Sequence, residues 1–237
     1  MSDSVDITLI LPVHNQADYI EQTVRGHAQT LTAIGASHEI LLIPNGCSDN
    51  SLQICKALSL EMPAVETIPV DGQGWGRAVK RGIKASKGNL ICYTNSARTH
   101  STELHQVLTL ALYNQNYVVK AARFNRDNLM RRIGSLIFNL ECELLFGLIT
   151  IDVNGTPKSF PRKFENLLKL DRDDSLIDLE FMLRCRLDGY PHIEVPIHKG
   201  ARIGGRSTTG MKIAIGLYLG SIFFWWSNRF RLKKIKQ

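Results

Sequence analysis

The stretch Ile7-Thr8-Leu9-Ile10-Leu11-Pro12-Val13, followed by His14-Asn15-Gln16, decides the fold. Seven residues without a charge, ended abruptly by three polar ones, read as a buried first strand with a loop at its carboxyl end. Immediately after it, Ile20, Val24, Ala28 and Leu31 recur at helical spacing over residues 17–34. Glu39–Ile43 reads as a second strand, stopped by Pro44-Asn45-Gly46. Asp49-Asn50-Ser51 supplies the cap for a helix through Leu60, with Asp49 as the capping side chain. Val65–Val70 reads as a third strand, Trp75–Ser86 as a helix and Asn89–Thr94 as a further strand. Strand and helix thus alternate, which predicts βαβ units and a mainly parallel sheet. Ligands of such sheets bind beyond the carboxyl ends of the strands, so the loops at 14–16, 44–49, 72–76 and 95–100 are expected to converge on one crevice.

The second half is less regular. Leu129–Leu148 reads as an amphipathic helix with a strongly apolar face, Asp152–Arg162 as a loop, Leu176–Asp188 as a helix ended by Gly189, and Ile193–Ile197 as a short strand. Ile213–Trp226 is apolar for 14 residues, closes on Phe223, Phe224, Trp225 and Trp226, and is followed by a basic run. Fourteen residues are too few to span a bilayer, whereas aromatic and cationic residues beside an apolar stretch suit a helix lying at a membrane interface. A core or oligomer-interface helix with a solvated basic tail is the alternative.

Composition fits this picture. Of the 237 residues, 44% are hydrophobic and 22% charged, so the chain is globular and not disordered. The net charge is +7, and residues 211–237 alone carry +6, from Lys212, Arg229, Arg231, Lys233, Lys234 and Lys236 with no acid. The other 210 residues therefore carry +1, which argues against a nucleic-acid-binding face. Five scattered cysteines without a C-x-x-C pair read as reduced, buried thiols of a cytosolic protein. No signal peptide is visible at the N-terminus.

In motif order the chain resembles family 2 glycosyltransferases, in particular the polyprenyl-phosphate branch that includes dolichyl-phosphate mannose synthase. Leu11-Pro-Val-His-Asn-Gln16 resembles the opening I-P-V-Y-N-E motif, and Ile43-Pro-Asn-Gly-Cys-Ser-Asp-Asn-Ser51 the D-D-G-S-T-D-G-T loop. Gly74-Trp-Gly-Arg-Ala-Val-Lys-Arg-Gly82 matches G-K-G-x-A-x-x-x-G, and Ala85-Ser-Lys-Gly-Asn89 matches A-x-G-D. Tyr93-Thr-Asn-Ser-Ala-Arg-Thr-His100 falls where the family has its D-x-D metal motif. Asp152–Arg162 resembles the acceptor-side loop, and Gly189-Tyr…Glu194-Val-Pro…Arg202-Ile-Gly-Gly-Arg-Ser207 the closing segment. The resemblance covers residues 7–208. It implies an α/β nucleotide-diphospho-sugar transferase (GT-A) fold over 1–210, with 211–237 as an appended amphipathic helix and basic tail. It further implies an inverting hexosyltransferase that moves a sugar from a nucleotide diphosphate to a polyprenyl phosphate. The setting would be the inner face of the membrane, the protein being cytoplasmic and peripheral.

The departures from the family pattern share one sign. Gln16 stands for the family's glutamate, Pro44 and Asn45 for its two aspartates, Asn89 for another, and Asn95 and Ala97 for the D-x-D pair. Each removes a negative charge near the donor end. The family's carboxylates hold Mg²⁺ or Mn²⁺ against the donor's diphosphate, and here the usual ligands are absent, so no metal-binding residue is assigned. The donor-binding candidates are Pro12, His14, Gln16, Asn45, Gly74, Asn95, Ala97, Arg98, Arg202 and Arg206. Arginine grips phosphate oxygens through a fork and keeps its charge at neutral pH, so Arg98, Arg202 and Arg206 are candidates to replace the metal in part. Arg98 alone also reads as a solvated surface arginine. Asn45 offers both a donor and an acceptor to a base.

On the acceptor side, Arg123, Arg126, Arg131, Arg132, Lys158 and Arg162 are candidates for a lipid phosphate; a solvated basic face is the alternative. A lipid phosphate is substantially dianionic at neutral pH, so it needs positioning more than a general base. By the resemblance, Asp178 and Glu180 fall where inverting relatives place an acid near the acceptor, and with Arg202 they complete the catalytic candidates. A helix-capping Asp178 and a surface Glu180 are the plainer reading. The competing function is a glycosyltransferase-like binding or regulatory protein without catalysis. The sugar, the base and the oligomeric state stay open.

Overall fold

The computed structural model describes residues 5–123, 129–197 and 211–233, without the side chains of 131, 211–215 and 230–233. The strands are β1 (Ile7–Val13), β2 (His38–Pro44), β3 (Val65–Thr67), β4 (Leu90–Tyr93), β5 (Val118–Arg123), β6 (Lys158–Pro161) and β7 (His192–Ile197). The helices are α1 (Ile20–Ile34), α2 (Ser51–Glu61), α3 (Trp75–Ala85), α4 (Ser101–Tyr113), α5 (Leu129–Phe146), α6 (Ile177–Leu187) and α7 (Met211–Lys233), with a 3-10 turn at Glu165–Lys169.

The seven strands form one sheet in the order β3-β2-β1-β4-β6-β5-β7. All pairings are parallel except those of β6, which runs antiparallel to both β4 and β5. The alternation of β1 splits the core. Ile7, Leu9, Leu11 and Val13 face a layer of α1, α2 and α4 residues, whereas Ile10 faces α3, α5 and α6. Both faces are covered, which is why β1 carries no outward polar alternation.

The chain leaves β1 in one direction to form β2 and β3, then crosses to β4 on the other side. The carboxyl ends of β1 and β4 therefore flank a topological switch point, where the crevice of an open α/β sheet lies. The mainly parallel sheet anticipated from residues 7–94 is present. One reading needs correction: Asp152–Arg162 is not all loop, because Lys158–Pro161 is the antiparallel strand that joins the two halves of the sheet. Four residues with a terminal proline carry too little periodicity to stand out from a loop. The segment 211–233 is one helix, and Leu217, Tyr218, Phe224 and Trp225 pack it against the α6 side of the core.

Candidate functional site

The loops after β1 and β2 are stitched together at the carboxyl edge. Asn15, at φ 51°, accepts the Ser48 N–H on Oδ1 at 2.8 Å. Asp49 accepts the N–H of Ser51 and that of Ala17, both at 3.0 Å, so it tethers the start of α2 to the first loop. Ser51 in turn accepts the Gln16 N–H at 2.7 Å. Gly46 turns at φ 57°, and a Cβ there would sit 2.8 Å from Gln73 N, so the 72–74 segment closes over it.

Asn45 is the knot of this edge. Its amide donates to Val13 O at 2.8 Å and Ile43 O at 3.3 Å, and its Oδ1 accepts the Gly74 N–H at 3.2 Å. The expectation that Asn45 reads a nucleotide base is corrected: the side chain is buried and committed to three strand and loop ends. Gly74 likewise gives its N–H to Asn45 and lacks a Cβ for a packing reason, since one would lie 2.9 Å from Asp173 O. His14 bonds Asn45 O through Nδ1 at 2.8 Å. A carbonyl only accepts, so Nδ1 carries the proton and, in the neutral ring, Nε2 is left as an acceptor beside the crevice.

The segment in place of D-x-D folds into a tight turn. Asn95 O accepts the N–H groups of Arg98 and Thr99, each at 3.0 Å, and Asn95 Oδ1 accepts the Ala97 N–H at 3.1 Å. The methyl of Ala97 is buried. Ser96 crosses the switch point: its hydroxyl lies 2.6 Å from Gln16 Oε1 and 3.2 Å from Pro12 O. Gln16, Pro12 and the 95–97 turn are thus brought into one cluster with His14 nearby. These residues do not fit a divalent ion, which prefers several hard, charged oxygens. The amide oxygens of Asn95 and Gln16 are neutral and already accept hydrogen bonds. Among the described residues no group of three or more His, Cys, Asp or Glu side chains could hold a metal. The Arg98 side chain is half-buried beside the turn. Arg202, Arg206 and Arg126 lie outside the described residues, as does the side chain of Arg131. An open groove of about 920 Å³ runs from these loops down α1, past His27 to Thr99–Ser101; it lies on the helical layer, off the strand ends.

Beyond β4 the same edge is ionic. Tyr93, Lys158, Lys120 and Glu194 stand in register across four adjacent strands. Two lysines facing each other on neighbouring strands repel unless each is paired. Lys120 meets Glu194 at 2.5 Å, with Thr150 bridging, and Lys158 meets Asp178. Asp178 also accepts from Tyr93 OH at 2.9 Å and Trp75 Nε1 at 3.0 Å. Burial draws the Lys158 pKa down, against the pull of Asp178 in the other direction. Burial, with Asp178 adding to it, pushes the Tyr93 phenol well above its usual range.

Several acceptor-side expectations change with this geometry. Lys158 is fully buried and holds Asp178, so it is not a phosphate contact. Arg162 sits at the opposite edge of the sheet, bonding Gly88 O and Ser86 O at 2.8 Å. Arg123 clamps the loop after α5, with Nε 2.6 Å and Nη2 2.9 Å from the Asp152 carboxylate and Nη2 2.9 Å from Asn154 O. Burial opposes its charge, but Asp152 outweighs burial and raises its pKa. Glu180 accepts the N–H groups of Asp171 and Arg172 and the Arg184 guanidinium, so it staples the 171–172 segment to α6 and is unavailable as a base. Asp178, with three donors on its carboxylate, is fixed likewise. Arg132 is exposed on α5. Sequence reasoning missed Ser96, Lys120, Glu194 and the Tyr93–Asp178 bond; the lysines interrupting apolar strand residues were the available signal.

Comparison with known proteins agrees with this architecture. The glycosyltransferase AglD of Haloferax volcanii is 24% identical over 204 residues, covering 81% of this chain and 33% of the relative. The undecaprenyl-phosphate 4-deoxy-4-formamido-L-arabinose transferase of Salmonella paratyphi B is 23% identical over 205 residues, covering 85% of this chain and 62% of the relative. This chain therefore spans about a third to three fifths of the relatives it matches. Two solved structures share the fold. Mannosyl-3-phosphoglycerate synthase from Rubrobacter xylanophilus has TM-score 0.71 and 14% identity, covering 97% of this chain and 75% of that one. Glucosyl-3-phosphoglycerate synthase from Mycobacterium tuberculosis, in complex with Mn²⁺, UDP and phosphoglyceric acid, has TM-score 0.70 and 15% identity, covering 96% and 78%. The glycosyl transferase family 2 model matches residues 8–167, more than half the chain, and with the switch-point crevice in place this protein belongs to that family.

Proposed function

We propose that the protein transfers a sugar from a nucleotide diphosphate to a polyprenyl phosphate at the membrane surface, with inversion and without a divalent ion at the 95–97 turn. The observation that carries this reading is the switch-point crevice lined by neutral polar groups, beside an edge where Asp178 and Glu180 are already committed to donors. A sugar hydroxyl as acceptor would need a base to remove its proton; a phosphate oxyanion does not. An anionic lipid phosphate suits a site without an available carboxylate, and two relatives with sugar-transfer names, one an undecaprenyl-phosphate transferase, support the assignment.

In the proposed reaction a phosphate oxygen of the acceptor attacks the anomeric carbon. The bond from that carbon to the diphosphate breaks, and the nucleoside diphosphate leaves with the electron pair. Arg98, Arg202 and Arg206 supply cationic charge to the diphosphate, and Arg131 and Arg132 at the start of α5, with Arg126, receive the lipid phosphate. The protein acts as a peripheral protein on the cytoplasmic face, held there by the C-terminal helix and its basic tail.

The test is transfer from UDP- and GDP-sugars to a short polyprenyl phosphate in detergent, with chelator or with Mn²⁺. Turnover that survives chelation is the expected result. Turnover that requires Mn²⁺ overturns the metal-independent site. Clear donor binding with no transfer to any acceptor replaces the enzyme with a binding protein.

A further inference from the structure

One departure from the family pattern stands apart from the loss of acids. Gly74-Trp75-Gly76 lies where the resembled motif reads G-K-G, so an aromatic ring takes the place of a cation at the start of α3. The backbone here is pinned from two sides. Gly74 gives its N–H to Asn45, just beyond β2, and Arg77 gives its own to Asp173 O at 3.0 Å. A Cβ at Gly76 would lie 2.5 Å from Asp174 O, so the 172–174 segment rests directly on the chain beside Trp75.

The indole is fixed as well. Its N–H donates to Asp178 Oδ2 at 3.0 Å. Its ring meets Tyr93 edge-on at a centroid distance of 6.3 Å, and Phe181 backs Tyr93 in turn at 5.8 Å. Trp75 thus has its backbone tied to the β2 side of the edge and its side chain to the last residue of β4. Tyr93 and Asp178 are buried, whereas Trp75 is only half-buried. The one polar atom of the indole is satisfied, so what remains open is apolar ring surface. A large aromatic locked in place at the edge of a crevice is a preorganised contact for a ligand.

The position of the ring selects its occupant. The 95–97 turn after β4 lies between the β1–β2 loops on one side and β6 on the other. A donor with its diphosphate at that turn sends its nucleoside one way and its sugar the other. The β1–β2 side offers hydrogen-bonding groups to the edge of a base, His14 Nε2 among them. Around Trp75 the polar groups are used up, because Trp75, Tyr93 and Lys158 already fill the Asp178 carboxylate. A hexopyranose needs less there: one face of its ring is lined by C–H groups, which an indole removes from water. Charge narrows the class further. Lys158, Lys120 and Arg123, the cations of the β6–β5 edge, are each paired with an acid, so the carboxylate of a uronate would meet no opposite charge among them.

We infer that Trp75 is the platform on which the donor's sugar stacks, that Asp178 is the positioning residue that fixes its indole, and that the sugar is a neutral hexopyranose. The inference deepens the sugar-transfer reading and rests on it for the nucleotide donor. Asp178 then acts through Trp75 and not on a proton of the acceptor. A ring in place of a cation at this position reads an apolar face and not a charge.

The test is calorimetric binding of UDP, GDP, UDP-glucose and GDP-mannose to the full chain, with UDP-glucuronate and GDP-mannuronate as charged counterparts and tryptophan emission recorded alongside. Trp75→Leu, which keeps apolar bulk against the core, should weaken the neutral nucleotide-sugar by about tenfold and the bare diphosphate by less than about twofold. Trp75→Phe keeps a ring but loses the bond to Asp178, and should fall between. Wild type should bind the uronate about tenfold more weakly than its neutral counterpart. Its emission should change with the nucleotide-sugar and not with the bare diphosphate, a signal that does not depend on whether Trp75→Leu folds. That change should vanish in Trp75→Phe, where Trp225 and Trp226 remain. Equal weakening of nucleotide-sugar and bare diphosphate by Trp75→Leu would put the base on the ring, overturning the inference and leaving the donor reading intact. Unchanged affinities with silent emission would make Trp75 a core residue. Bare diphosphates bound with neither neutral sugar accepted, or a uronate bound as tightly as its neutral counterpart, would remove the neutral hexopyranose. Folded wild type that binds no nucleotide at all would sink the sugar-transfer reading, and the inference with it.

Discussion

The two halves of the sheet edge treat charge in opposite ways. On the β1–β2 side, the positions where the resembled family pattern has acids hold Gln16, Asn45, Asn95 and Ala97, and bonds among amides, hydroxyls and backbone hold them in place. On the β6–β5–β7 side, charges are kept but buried in pairs: Lys120 with Glu194, Arg123 with Asp152, and Lys158 with Asp178. The first half therefore has no carboxylate free to hold a metal, its Asp49 being committed to the N–H groups of Ala17 and Ser51, and the second has none at liberty to take a proton. A retained acid is not by itself a catalytic acid, and its donors decide what it can do. Here Asp178 holds the one reversed strand, β6, and Glu194 and Asp152 hold its neighbour β5, while the first half is left without a free carboxylate around the switch-point crevice.

The largest expected effect tests the ionic half. Asp178→Asn keeps an acceptor for Tyr93 and Trp75 but leaves Lys158 buried without a counter-charge, and should cost about 3–5 kcal/mol by urea denaturation. Pairing Asp178→Leu with Lys158→Met should return most of that loss. If Asp178→Asn instead keeps wild-type stability and loses transfer, Asp178 is the base and the contrast between the halves fails.

The neutral half has its own titration. His27 is buried on α1 with neither ring nitrogen hydrogen-bonded, and burial, assisted by His100, lowers its pKa to about 4. A base depressed in the folded state binds its proton more readily when unfolded. Its neutral form therefore favours folding above the unfolded value of about 6.5, and this stability is lost as pH falls toward 4. The loss should reach roughly 3 kcal/mol. His27→Leu should flatten the decline between those limits. An unchanged slope would place the acid sensitivity in the ion pairs of the other half.

A smaller effect is expected from restoring charge to the neutral half. Asn95→Asp with Ala97→Asp should strengthen Mn²⁺ binding by calorimetry at least about tenfold, or ~1.4 kcal/mol. No gain would mean that the turn geometry, and not the missing acids, excludes the ion.

Much of this was legible along the chain. The alternation from Ile7 to Thr94, the loops that converge beyond it and the one-signed loss of acids are local facts of residue type and spacing. Helical and strand periods express themselves within a dozen residues, so most elements read from the pattern lie within a few residues of their places, whereas α4 and β5 were not read from it and α7 runs on to Lys233. Lys158 and Asp178 are 20 residues apart, Lys120 and Glu194 are 74, and Gln16 and Ser96 are 80. No local period encodes such pairings. The first exists because β6, a four-residue strand that reads as loop, runs backward between β4 and β5; the other two exist because β5 pairs with β7 and β1 with β4. The sequence by itself determined a nucleotide-sugar-type fold with a neutral donor end. Only the tertiary structure decided that the surviving charges are structural and that Asn45 is a knot and not a ligand. The physical reason is that a hydrogen bond or ion pair belongs to whichever groups the sheet order brings within 3 Å, and sheet order is set by burial across the whole domain.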